Sequence, residues 1–484
     1  MTILLISLAL LIGGYCIYGL LVEKVFGIDP KRLTPALSRT DGVDYVELPA
    51  WKVFLIQFLN IAGLGPIFGA IMGVMFGPMA FIWIVFGSIF GGAVHDFISA
   101  MMSVRSGGDS LPELVGRELG PVVKQIMRFV SVVLLILVGA VFVLTPAGLL
   151  DNMTPDYLST NFWIAVIFIY YVMATLLPID KLIGRFYPIF GFVLLFMAVG
   201  LLGVLLFGDV SIPDGFSSGL YNRHAAADTH PVFPMMFVSI ACGAVSGFHA
   251  TQSPMMARCI KNEKLARPVF YGAMIAEGLV ALIWAAAAIT FTGGYEGLAE
   301  YMAAHKGAGD LVTDISVGWL GAFGGVLAVL GVVAAPITTG DTALRSARLI
   351  AADFLHVDQS KLTRRLMVSL PLFAVTFGLM CIDFNVLWRY FAWTNQMLAA
   401  FTLWAATVYL ARHGRFYIVT LIPALFMTMV VTTYILVAPS PEGFGLQMPV
   451  ALAAGAGADA VCLLLFARYE VLRRTGRLIH EVAY

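Results

Sequence analysis

Charge is scarce in this sequence. Asp, Glu, Lys and Arg together make up 12% of 484 residues, and 29 basic side chains cancel 29 acidic ones. A chain this poor in charge has no basic face for nucleic acid and lacks the polar surface of an ordinary soluble enzyme. Cysteine is equally sparse. Cys16, Cys242, Cys259, Cys381 and Cys462 are odd in number and scattered through apolar runs, so neither a disulfide framework nor a metal cluster is expected, and packing is their simplest use. Enzyme signatures are missing too. No His-Glu-x-x-His occurs, and Gly63-x-Gly65 has no third glycine, no preceding strand and no P-loop lysine, which argues against a nucleotide cofactor. Gly215-Phe-Ser-Ser-Gly219 matches Gly-x-Ser-x-Gly by letters alone, since it follows Pro213 in a loop rather than joining a strand to a helix.

What the sequence has in abundance is apolar surface: 60% of residues are hydrophobic and mean hydropathy is +0.91. The expected fold class is an all-α polytopic membrane protein. Runs of about 20 apolar residues, the length that crosses a bilayer, occur thirteen times: at 2–22, 52–76, 78–102, 122–145, 161–178, 186–208, 232–255, 268–291, 316–338, 366–383, 391–411, 415–437 and 449–470. The first run has neither a basic leader nor a small-residue cleavage site and is expected to remain as a helix. Lysines and arginines alternate between the connections. All of the 29 except Arg223, Lys306 and Arg389 fall in the odd-numbered connections and the tail. By the positive-inside rule those connections are cytoplasmic, so the N-terminus is expected outside and the C-terminus in the cytoplasm.

Two segments are interrupted at mid-span. Segment two carries Gly63, Gly65 and Pro66 within Asn60–Gly69, and segment seven carries Gly243, Ser246, Gly247, His249 and Pro254 within Ile240–Pro254. Backbone at bilayer depth leaves helical hydrogen bonding only where protein or a wet cavity receives it, so both breaks mark a candidate solute site. They lie five segments apart and, by the charge alternation, run in opposite directions. That arrangement predicts a 5+5 inverted repeat, with residues 51–208 and 231–411 as its halves. Residues 1–50 would be an extra helix and loop, and 412–484 two extra helices and a tail. Gly69, Gly73, Gly77, Gly87 and Gly91 recur every fourth residue and are read as close helix packing.

Ionisable residues at membrane depth are expensive and tend to face the bundle interior. His95 and Asp96 in segment three suit either a proton relay or a hydrogen-bonded packing pair. Glu277 in segment eight is a candidate coupling carboxylate or a clamp on a neighbouring helix. His249, beside the break, could bind a carboxylate or titrate near neutral pH, or be a satisfied donor. Thr338 and Thr339 offer hard oxygen ligands for sodium. Asp341 is either a coupling group or the N-cap of a cytoplasmic amphipathic helix reaching about Leu355, paired with Arg345. Thr394, Asn395 and Gln396 are interhelical glue or ligands.

At these residues the sequence resembles the carbon-starvation protein A (CstA) family. The resemblance rests on Ile61-Ala-Gly-x-Gly-Pro66, Gly92-Ala-Val-x-Asp-Phe97, the run Ile240–Ala250, Tyr271-Gly-Ala-Met with Glu277, Asp341 with Arg345 and Arg348, and Asn395-Gln-Met-Leu-Ala-Ala400. It implies an inner-membrane importer of the carbon-starvation response with the inverted-repeat fold of LeuT and the amino-acid/polyamine transporters. Peptides are the usual substrate, and pyruvate belongs to a related branch. It gives Asp96, His249, Glu277 and Asp341 motif status and leaves His95 outside, because other members can carry glutamine there. The connection from about Phe291 to Ser316 and the tail are shorter than in longer members. The expected partners are a small solute and the lipid bilayer, with a proton or sodium ion for coupling, no further cofactor and no nucleic acid. A channel or a nutrient sensor is the alternative class.

Overall fold

The computed structural model describes residues 1–40, 45–176, 179–213, 219–304, 307–357, 359 and 361–475. Every regular element among them is helical. Nine helices are long and apolar enough to cross a membrane, and a tenth span results if one bent pair is counted together. In chain order the main helices are α1 (Thr2–Phe26), α2 (Ala50–Ile61), α3 (Gly65–Val74), α4 (Met79–Arg105), α5 (Pro121–Met153), α6 (Thr160–Leu176) and α7 (Ile179–Phe207). Next come α8 (232–239), α9 (Gly247–Ala257), α10 (Glu263–Phe291), α11 (Tyr295–Ala304), α12 (Ala308–Leu327), α13 (Ala334–Leu355), α14 (Leu362–Leu379), α15 (Phe384–Arg412), α16 (Ile418–Val437) and α17 (Met448–Arg474). The predicted segments fall largely on these helices. Segments two and seven are each split, into α2 with α3 and α8 with α9.

The first break turns the chain by 53° between α2 and α3. The second is a non-helical stretch, 240–246, in which Gly243 adopts φ 89°, a left-handed conformation costly for any residue with a Cβ. The glycine stripes explain how this stretch is buried. A Cβ on Gly65 would collide with Cys242, one on Gly69 would stand 2.9 Å from the Ser239 carbonyl, and one on Gly73 would strike Ile240. On α4, Cβ atoms at Gly87 and Gly91 would come within 2.9 Å of Ala244 Cβ and 2.6 Å of Val245 Cγ2. The unwound stretch therefore lies between two glycine-lined helices, and the packing reading of Gly69, Gly73, Gly87 and Gly91 acquires a specific partner.

The structure corrects one boundary. Segment nine was expected at 316–338, and one of the two readings of Asp341 made it the N-cap of a separate cytoplasmic helix. Instead α12 turns at Gly321, and a π-turn at Ala328–Val333 leads directly into α13, with Asp341 in its interior and fully buried. Thr-Thr-Gly-Asp lowers both hydropathy and helix propensity, so the sequence mimics a helix end. Tertiary partners for Asp341, described below, override it. The Gly215–Gly219 motif and Lys306 lie wholly or mostly outside the described residues.

The connections sort to two ends of the bundle. At one, Arg39 donates to the Gly107 carbonyl, Arg258 to the Gly108 carbonyl and Arg412 to the Arg117 carbonyl, while Arg105 pairs with Glu263 at 3.0 Å. At the other, the Met1 amine reaches the Ile212 carbonyl at 3.5 Å and Arg389 pairs with Glu442. The first, third, seventh and eleventh connections of the sequence reading thus meet at one end, and the sixth, tenth and twelfth lie at the other.

On Gly247, a Cβ would run into the backbone of α15 at Asn395 and Ala399 and stand 2.6 Å from Leu398 Cβ. Gly457 on α17 has open space around it. Gly247→Ala is expected to lower the detergent-solubilised protein's Tm by the equivalent of about 1–3 kcal/mol, and Gly457→Ala to leave it unchanged or raise it. Thermal unfolding followed by size-exclusion chromatography checks both, and equal behaviour of the two variants would contradict this packing.

Candidate functional site

The site forms where the two breaks meet. A Cβ on Gly243 would lie 3.6 Å from Pro66 Cα, and Gly65 abuts Cys242. Gly63 is covered by Phe142 and Thr339, whose ring edge and hydroxyl lie 3.1 and 3.4 Å from its Cβ position. From this crossing α9 starts. A helix start leaves N–H groups unsatisfied, and here α15 supplies the acceptor: Asn395 Oδ1 takes a hydrogen bond from the Phe248 N–H at 2.6 Å and lies 3.2 Å from the Ser246 hydroxyl. Its amide nitrogen lies 3.1 Å from Ser246 Oγ and 3.6 Å from Cys242 Sγ. Asn395 is thus a cap supplied in trans, the glue reading made specific.

His249 stands in the first turn of α9, and around it four ionisable groups form one buried chain. Its Nδ1 lies 2.8 Å from Asp96 Oδ2, and the other oxygen of Asp96 lies 2.8 Å from His95 Nδ1. On the far side of the ring, His249 Nε2 lies 3.4 Å from Glu277 Oε2. All four side chains are fully buried, and His95 Nε2, His249 Nε2 and both Glu277 oxygens have no hydrogen-bond partner. An ionised Asp96 can accept from both Nδ1–H groups, which directs the lone pair of a neutral His249 ring towards Glu277. Two acceptors then face each other across 3.4 Å. Such a pair is repulsive unless a proton or another cation lies between them, because charge at this depth must be paired. His95 belongs to the chain despite its weaker claim from sequence.

Asp341 lies in a second cluster. Tyr187 donates to its Oδ2 at 3.0 Å and also approaches the Thr338 carbonyl at 3.3 Å. Asp341 Oδ1 has no hydrogen-bond partner, and Arg345 donates to the Ala174 carbonyl at 2.6 Å. The Thr338 hydroxyl bonds back to the Ala335 carbonyl at 2.7 Å. That of Thr339 does so at 2.9 Å and also reaches the Leu59 carbonyl at 3.3 Å, beside the first break. Among the described residues no hydrogen bond or ion pair joins this cluster to His249. Gly63, Gly65, Pro66, Gly243, Ser246, Gly247, His249, Asp96 and Glu277 come together, whereas Thr338, Thr339 and Asp341 flank them through Gly63.

Several participants escaped the sequence reading. Cys242, expected to be a packing residue, lies in the unwound stretch with its thiol within 4.8 Å of ligand atoms of His249 and Glu277. Tyr187 gave no signal beyond an aromatic in an apolar run. At the end of the bundle that carries Met1, His224 and His230 stack with ring centroids 4.7 Å apart. They line a cavity of about 190 Å³ with Met72 of α3, Ser239 of α8 and Arg389. Burial, then His230, then Arg389 push the His224 imidazole down to about 4, and burial followed by Arg389 also lowers His230.

These shifts fix the sign of a pH dependence. Between the unfolded imidazole value near 6.5 and about 4, the unfolded chain binds protons that the folded chain refuses, so stability falls as pH falls through that window. Tm is expected to decrease from pH 7 to pH 4, and His224→Asn to flatten part of the slope. A slope unaltered by that substitution would contradict the assignment.

Comparison with known proteins agrees with this architecture. The sequence profile of the family described as "Carbon starvation protein CstA" matches residues 1–156, 151–308 and 296–434. A Haemophilus influenzae "Uncharacterized membrane protein" is 44% identical over 58% of this chain and 88% of its own length. The Escherichia coli "Peptide transporter CstA" is 25% identical over 89% of this chain and 80% of its own. The "Pyruvate/proton symporter BtsT" of the same organism is 28% identical over 58% of this chain and 48% of its own. Among solved structures, MhsT in complex with L-phenylalanine aligns with a TM-score of 0.53 at 12% identity, covering 85% of this chain and 99% of its own. An Eremococcus coleocola manganese transporter aligns with a TM-score of 0.51 at 14% identity, covering 90% and 99%. These structural likenesses show a shared fold. With profile matches along most of its length, this chain belongs to the carbon starvation protein CstA family of multi-pass membrane transporters.

Proposed function

We propose that the protein is a proton-coupled secondary active importer of small carboxylate-bearing nutrients across the inner membrane, with peptides as the first candidate and pyruvate as the alternative. The observation that carries this reading is the buried Asp96–His249–Glu277 chain at the crossing of two broken helices. In this reading the thirteen segments contain a 5+5 inverted repeat. The basic end is cytoplasmic and the Met1 end is outside. Segments three and eight are then matched helices, and each contributes one carboxylate to the same imidazole. The names of the relatives, one a peptide transporter and one a pyruvate/proton symporter, favour these substrates.

The mechanism follows from helix ends. A solute carboxylate binds at the positive N-terminus of α9, between Ser246, Gly247 and the first break at Gly63, Gly65 and Pro66, exchanging with the Asn395 amide oxygen at the Phe248 N–H. A proton held between His249 and Glu277 neutralises the pair in the loaded state and leaves towards Asp96 and the cytoplasmic end. Solute enters past the His224 and His230 cavity. An inward cation supplies about 2.3 kcal/mol per 100 mV, enough for roughly 40-fold accumulation. A second reading has support from one contact: Thr339 meets the Leu59 carbonyl beside the break, near the unpartnered Asp341 Oδ1, which suits sodium coupling through Thr338 and Thr339.

Uptake into proteoliposomes tests the proposal. Labelled dipeptide or pyruvate is expected to concentrate above the external level under an inward proton gradient and to stop doing so with a protonophore. Glu277→Gln and His249→Ala are each expected to cut that uptake at least tenfold. Equilibration without accumulation would identify a channel. Dependence on sodium, abolished by Thr339→Ala, would move coupling to the second cluster. Wild-type uptake by both His249 and Glu277 variants would overturn their assignment.

A further inference from the structure

The His249–Glu277 pair has a third neighbour that proton coupling leaves unused. Cys242, His249 and Glu277 each present one ligand atom, and the three atoms lie within 4.8 Å of one another in a fully enclosed setting. Two of these groups, His249 Nε2 and the Glu277 carboxylate, face each other without a hydrogen bond between them. Their separation of 3.4 Å is the spacing of two donors about 2.0–2.1 Å from one tetrahedral centre, about 3.4 Å apart.

The surroundings suit a metal better than a clamp. His249 is oriented through Nδ1 by Asp96, and Asp96 is held in turn by His95. A carboxylate that fixes the far nitrogen of a histidine is the arrangement that orients metal-ligating imidazoles and raises their basicity. One thiolate and one carboxylate together neutralise a divalent ion, so its exchange for two protons leaves the net charge of the buried cluster unchanged. Thiolate with imidazole selects zinc and its first-row neighbours over sodium, magnesium or calcium. Ser246 Oγ lies 3.7 Å from the thiol, the nearest hydroxyl to complete the set.

We propose that Cys242, His249 and Glu277 bind one divalent transition-metal ion of the zinc class, with Asp96 and His95 as positioning residues. On binding, the thiol proton and the proton shared by His249 and Glu277 are released, so affinity falls as pH is lowered. The ion ties the unwound stretch, α9 and α10 together and holds the two breaks closed.

The test is equilibrium titration of the purified, chelator-stripped full chain with Co2+, whose thiolate charge-transfer absorption reports a Co–S bond. One equivalent is expected to bind per chain, to show that absorption and to be displaced by Zn2+. Cys242→Ala and the near-isosteric Cys242→Ser are expected to lose it. His249→Ala should weaken binding at least tenfold. Asp96→Asn should weaken it about 10–100-fold while keeping the thiolate band. Thermal unfolding of each variant separates loss of the site from loss of the fold. The absence of a thiolate band in the wild type, or its persistence in both folded Cys242 variants through another cysteine, would overturn the proposal. Because no gradient or solute is involved, the outcome is independent of the transport reading.

Discussion

The fold depends on one constraint: backbone that stops being helical in the middle of a bilayer must be received by protein on every side. The stretch 240–246 meets it in three ways. Glycines of α3 and α4 let the neighbouring helices approach until their backbones nearly touch it, and Asn395 accepts the Phe248 N–H in the first turn of the helix that resumes. In return, the Gly243 carbonyl accepts the Ser88 hydroxyl at 2.9 Å, which fastens the left-handed turn to α4. Elsewhere the bundle can be ordinary. Tight packing, absent side chains and a borrowed cap are concentrated where helical hydrogen bonding is given up.

The same economy governs charge. Within the bundle, two sets of ionisable side chains compensate one another. His95, Asp96, His249 and Glu277 form one, and Asp341 with Tyr187 and Arg345 lies beside another break. Each set draws its members from distant parts of the chain, so folding is the condition for burying any of them. At the basic end, Glu263 accepts from Arg105 and from the Asp29 N–H at 2.6 Å, and Arg267 pairs with Glu23 at 3.0 Å. These contacts tie the extra N-terminal helix to helices from both halves of the chain.

Much of this was legible in the sequence because hydropathy, glycine and proline are local signals. The two breaks, the sorting of basic connections to one end and the burial of His249, Asp96 and Glu277 in the bundle interior all follow from residues read one at a time. What failed to appear was relational. Asp341 resembled a helix cap because its neighbours Thr338, Thr339 and Gly340 are weak helix formers, and only the distant Tyr187 reveals why the helix continues. Asn395 could not be assigned as a cap from its own helix, since the N–H that it satisfies belongs to Phe248. Cys242 looked inert until the turn at Gly243 brought it alongside His249. Residues whose roles are set across the fold leave no periodicity to find.

The buried chain of four ionisable groups is not uniformly tight. His249 is held at 2.8 Å on its α4 side but stands 3.4 Å from its α10 partner without a formed hydrogen bond. The contact at Nε2, which spans α9 and α10, is therefore the looser of the two that His249 makes. A shift of α10 against α9 would change that gap and leave the pair with Asp96 untouched, so a small cation held there would register the relation of those two helices.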